Sequence, residues 1–129
     1  MSELSEQLLE RLATELSCDD FSIRDLVLSF LDAALEADEL RCESVAKDTL
    51  ELLVGNARQR VTFDGAITRF RLLLPYLAFL ADKDDGQVTP YGGHGKVRHI
   101  CGDGSMAELG ITFTNSAGTQ NLRLWWPCA

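Results

Sequence analysis

The fold turns on residues 41 to 55, RCESVAKDTLELLVG. Val45, Thr49, Leu50, Leu52 and Leu53 fall close to helical spacing there, and Gly55 follows as the residue type that commonly ends a helix in the left-handed region. Read this way, the stretch is a third helix, and it makes the first half of the chain helical throughout.

Two helices precede it. Leu4, Leu8, Leu9, Leu12, Ala13 and Leu16 recur at helical intervals, with Glu6, Glu10 and Glu15 on the other side, which predicts an amphipathic helix from about residue 3 to 17. Cys18, Asp19 and Asp20 interrupt it. Ser22 is then placed to cap a second helix, with Asp25 where a capping box puts its acid and Phe21 within reach of Leu26 as a hydrophobic staple. Its apolar stripe is Ile23, Val27, Phe30, Leu31, Ala34 and Leu35, and the acidic break from Glu36 to Glu39 separates it from the third. Three such helices in a row suggest an antiparallel bundle.

Toward the C-terminus, Arg58 to Phe63 fits strand and helix equally. Helical spacing returns after Asp64 and Gly65, with Ile67, Phe70, Leu73, Leu74, Leu77 and Leu80 directed inward. Pro75 removes a backbone donor inside this fourth helix, so a kink or two short helices are expected before the DKDDG run at 82 to 86 ends it. The composition then changes, because eight of the ten glycines fall between Gly86 and Gly118, and strands replace helices. Lys96 to Cys101 reads as one strand; Ala107 to Thr114 and Asn121 to Trp126 alternate around the loop NSAGTQ as a hairpin. One hairpin face carries Leu109, Ile111, Phe113, Leu122, Leu124 and Trp126, the other Thr112, Thr114, Arg123 and Trp125. The expected fold is α+β in a single domain, residues 1–129: three or four N-terminal helices (to about residue 82) packed on a small C-terminal antiparallel β-sheet of about three strands (about 86–127).

The net charge of −8 is uneven: residues 1 to 54 hold 14 acidic against 4 basic side chains, and residues 55 to 129 hold 6 against 8. Nucleic-acid binding needs cations that neutralise phosphates, and this balance argues against it. Met1 to Arg11 has neither the basic start nor the apolar core of a secretory signal, so a cytoplasmic location is expected. The longest apolar run, Leu72 to Ala81, is about half of what a membrane-crossing helix needs, and no membrane association is expected. Cys18, Cys42, Cys101 and Cys128 form no CxxC pair and read as reduced thiols.

Reactive side chains gather in one segment, YGGHGKVRHICGDG, residues 91 to 104. On a strand His99 and Cys101 share a side, but a structural zinc site wants four ligands and only His94 and Cys128 could join them, so no metal and no cofactor is assigned. A Cys101 nucleophile with His99 as its base lacks an orienting third group, and no catalytic residue is assigned either. The glycines of YGGHG match neither G-x-G-x-x-G nor the P-loop and read as a turn or lid.

The second face of the sheet carries more. Lys96 and Arg98 would join Thr112, Thr114, Arg123 and Trp125 on one surface, an aromatic among cations and hydroxyls, which is the composition of an interface; packing under the chain's own helices is the competing reading. The expectation is a non-enzymatic protein acting by association, as a homodimer or other homo-oligomer, with a basic protein as a further partner for its acidic helices. The alternative is a small-molecule binder or enzyme with a cleft between the kinked fourth helix and the sheet, lined by Arg69, Tyr76, His94, His99 and Cys101.

Overall fold

The computed structural model of the chain describes residues 3–81, 87–89, 91–101 and 103–126. In order the elements are α1 (Glu3–Ser17), α2 (Ile23–Ala37), β1 (Glu39–Ala46), β2 (Thr49–Val54), β3 (Ala57–Thr62), α3 (Ala66–Leu80), β4 (Gln87–Thr89), β5 (Gly92–Ile100), β6 (Met106–Asn115) and β7 (Gln120–Trp125). The strands form one antiparallel sheet in the order β3-β2-β1-β7-β6-β5-β4.

Among the described residues, three helices and seven strands replace the predicted three or four helices on about three strands, and strands begin at Glu39 rather than beyond residue 82. The error lies in the decisive stretch. Residues 41 to 54 form most of a hairpin, with Leu40 opposite Val54, Cys42 opposite Leu52 and Ser44 opposite Leu50. Their buried set, Leu40, Cys42, Leu50, Leu52 and Val54, repeats every second residue, which is the period of a strand. Lys47 and Asp48 make the turn, Asp48 adopting the left-handed φ of 52° that an aspartate tolerates. Gly55 ends no helix. It opens the two-residue turn into β3 at φ 61°, its N–H donates to the Glu39 carbonyl at 2.9 Å, and a Cβ there would meet Ser5 Oγ of α1 at 2.6 Å. Arg58 to Thr62, which fitted either structure, belongs to the edge strand β3.

The helices cover one face of the sheet. Leu8, Leu12 and Leu16 of α1, Leu26, Val27, Phe30, Leu31 and Ala34 of α2, and Phe70, Leu73, Leu74 and Leu77 of α3 are buried in one core with Leu50, Leu52, Val97, Leu109, Ile111, Phe113, Leu122 and Leu124 of the strands. The Ser22 cap forms as predicted, accepting from the Asp25 N–H at 3.3 Å. α3 runs through Pro75 as a single helix. The glycines of YGGHG, read as a turn or lid, lie in β5, where Gly92 pairs with Thr114 and Gly95 with Ile111. A Cβ on Gly92 would press on the Phe113 carbonyl at 3.0 Å, so close strand approach accounts for that glycine. The DKDDG run lies outside the described residues, as does Cys128. Among the described residues no helix is long and apolar enough to cross a membrane.

Candidate functional site

Among the described residues no helix covers the second face of the sheet. Alternation along every strand that reaches the core sends the neighbouring residues to this open side, and cross-strand pairing sets them in rows. One row runs Arg58, Leu53, Arg41, Arg123, Thr112 and His94 across six strands; the next runs Arg60, Glu51, Glu43, Asn121 and Thr114. Where the two rows meet, Arg41, Glu43, Glu51, Arg58, Thr112, Asn121 and Arg123 line a shallow depression of about 380 Å³.

Trp125 lies across β6 from β7. It pairs with Gly110, and a Cβ at that position would fall inside the indole, so the glycine is what lets the ring lie flat on the strand. The Arg123 guanidinium sits 4.6 Å from the centre of the same ring, and its Nε donates to Glu39 Oε2 at 2.5 Å. Tryptophan, arginine and carboxylate thereby hold one another in a fixed arrangement on an uncovered surface. Burial pushes the Glu39 carboxyl up, but the Arg123 hydrogen bond and the nearby Arg41 and Arg123 charges outweigh it, leaving Glu39 below the usual carboxylate value.

Lys96, Arg98, Thr112, Thr114, Arg123 and Trp125 all belong to this side of β5, β6 and β7. The face is not the cationic one that those residues alone suggest. Glu108 reaches Lys96 and Arg98, each at 3.7 Å, Glu39 reaches Arg41 at 3.4 Å as well as Arg123, and Glu51 reaches Arg60 at 3.3 Å and Arg58 at 4.0 Å. Glu39, Arg41, Glu43, Glu51 and Arg58 are site residues that the sequence pattern does not point to: residues 41 to 54 fit a helix, Glu39 belongs to the acidic break before it, and Arg58 opens the stretch that fits strand and helix equally. The every-other-residue spacing of Leu40 and Cys42, and of Leu50, Leu52 and Val54, was the signal that could have found them.

The five residues proposed for a cleft do not come together. His94 faces the open side opposite Thr112, whereas His99 is buried on the helical side with Nε2 2.6 Å from Asp32 Oδ1 of α2. Cys101 stands in the β5–β6 turn, where its N–H donates to the Ser105 carbonyl at 2.8 Å. Tyr76 packs half-buried against the core. Arg69 is a structural pin: Nη1 donates to the Leu16 and Cys18 carbonyls, both at 2.7 Å, and the guanidinium stacks 3.8 Å over Phe21, which closes the C-terminal end of α1. Cys42 is buried under the sheet, and burial first, then the Glu43 charge, raise its thiol far above the ordinary value, so it stays protonated and unreactive. Among the described residues no group of three or more His, Cys, Asp or Glu side chains is placed to hold a metal ion.

No protein-family model matches the chain. No curated protein matches it either.

Proposed function

We propose that this protein works by association with other protein chains through the open face of its sheet, and first of all with a second copy of itself. The observation that carries the reading is Trp125, laid flat on Gly110, braced by Arg123 and left half-buried on a surface that no helix covers among the described residues. Aromatic and arginine side chains held rigid before a partner arrives lose little freedom on binding, which is why such residues dominate interfaces. Both signs of charge lie around it, a composition suited to a like surface. A reducing, cytoplasmic setting fits the free thiols of Cys18, Cys42 and Cys101.

A basic protein is the second partner that this reading includes. It would dock on the helical layer, where Glu6, Glu10, Asp25 and Asp32 belong to exposed surface with only Arg11 and Arg24 as counter-charges on α1 and α2.

Sedimentation velocity over a concentration series tests the main reading. A reversible dimer is expected, and Trp125→Ala should weaken it by roughly tenfold or more, the effect of losing an interface hot spot, while the unfolding transition of the subunit moves little. A particle that stays monomeric at the highest attainable concentration overturns it.

A further inference from the structure

The open face carries two cross-strand pairs of like charge. Arg41 stands directly opposite Arg123 in the β1–β7 ladder, and Glu43 stands directly opposite Glu51 in the β1–β2 ladder. Like charges in this relation destabilise a sheet. Here the two pairs share β1 and lie two residues apart, so two arginines and two glutamates stand on neighbouring rows, roughly 7 Å from each other. Glu39 answers the arginines and Arg60 answers Glu51, but the exposed Glu43 side chain makes no hydrogen bond or ion pair among the described residues.

Resting on the association reading above, we infer that the partner of this face is the same face of a second copy, related by a two-fold axis that lies in the interface and runs across the strands between residues 41 and 43. That rotation exchanges the rows. Arg41 of each copy comes over Glu43 of the other, and because the contact is isologous each subunit makes the pairing twice over. Facing sheets stack about 10 Å apart, a gap that an extended arginine and an extended glutamate close between them. The competing head-to-tail arrangement seats the sheet face on the acidic helices of the next copy. It would satisfy the arginine row while pressing Glu43 and Glu51 against further carboxylates, so charge selects the sheet over the helices.

Charge reversal distinguishes the two failures. Wild type, Arg41→Glu, Glu43→Arg and the equimolar mixture of the two variants are compared by sedimentation velocity. Wild type should dimerise, and each variant alone should dimerise at least about tenfold more weakly, because like rows now face each other. The mixture should recover a mixed dimer, because positions 41 and 43 are then both acidic on one subunit and both basic on the other. Each substitution also turns a like-charge cross-strand pair into an opposite-charge one, so the melting temperature of the isolated subunit should hold or rise. Glu43→Lys carries the same test if Glu43→Arg does not fold. A wild-type dimer that either variant forms equally well, or that the mixture fails to restore, overturns the two-fold pairing and leaves association standing. A monomeric wild type overturns both.

Discussion

The hairpins β1–β2 and β6–β7 lie side by side, joined through the β1–β7 ladder, and they are alike below the sheet and different above it. Below, both bury an apolar residue at every second position: Leu40, Cys42, Leu50, Leu52 and Val54 in one, Leu109, Ile111, Phe113, Leu122 and Leu124 in the other. Above, the first places Arg41, Glu43 and Glu51 on the open side, while the second places Thr112, Thr114, Arg123 and Trp125 there. Their turns differ as well. Lys47 and Asp48 close the first in two residues, whereas Ser116 to Thr119 close the second, with the Ser116 N–H donating to the Thr119 carbonyl at 2.9 Å. Packing under the helices constrains one side of each hairpin to the same solution. The other side is left free by folding, so its charge pattern and its indole need an explanation from outside the core.

The likeness below the sheet is the easiest part to break. Leu52→Ala and Phe113→Ala should each lower stability in urea unfolding, by about 2–5 and about 3–5 kcal/mol, because both side chains are fully buried in one core. A loss below about 1 kcal/mol at Leu52 would make the first hairpin an appendage rather than an equal partner. The contrast above the sheet is sharpened by Gly110→Ala. A methyl group there displaces the indole and should cost about 1–3 kcal/mol, most of it recovered when Trp125→Ala is added. Simple addition of the two losses would mean that the ring does not depend on the glycine. The smallest effect lies in the bond that links the hairpins. Glu39 of β1 has its carboxyl held below the ordinary value when folded, so its contribution is complete above the unfolded-state value and is lost as pH falls through the lower folded one. Glu39→Gln should therefore flatten the acid side of a plot of urea midpoint against pH. An unchanged acid side would show that the Arg123 contact does not stabilise the subunit.

The second hairpin was legible because its signals agree. Ile111, Phe113, Leu122 and Leu124 alternate with Thr112, Thr114 and Arg123 along the two strands, and β-branched and aromatic residues run from Ile111 to Thr114 in the first of them. In the first, Leu53 beside Leu52 breaks the alternation on the open side, and Glu51, Lys47, Ala46 and the leucines are good helix formers by intrinsic preference. Pairing on both sides of β1 outweighs that preference, and such long-range contacts leave no mark in a local window. Gly55 was ambiguous for the same reason, since a left-handed glycine serves a helix end and a hairpin turn alike. The candidate site was legible by half. Its aromatic and threonine side came through with β6 and β7, while its acidic half was hidden with β1 and β2. The result was a face that looked cationic and is a mosaic.

The strand order has a consequence for how the chain matures. β1 lies inside the sheet between β2 and β7, and Leu40 pairs with Leu124, far along the chain. During synthesis the early hairpin must therefore wait, with one edge unsatisfied, until β7 has left the ribosome. Such distant closure slows folding and leaves a sticky intermediate. A chain stopped before residue 120 would present that bare central edge for good, so premature termination should yield aggregates rather than a smaller working protein.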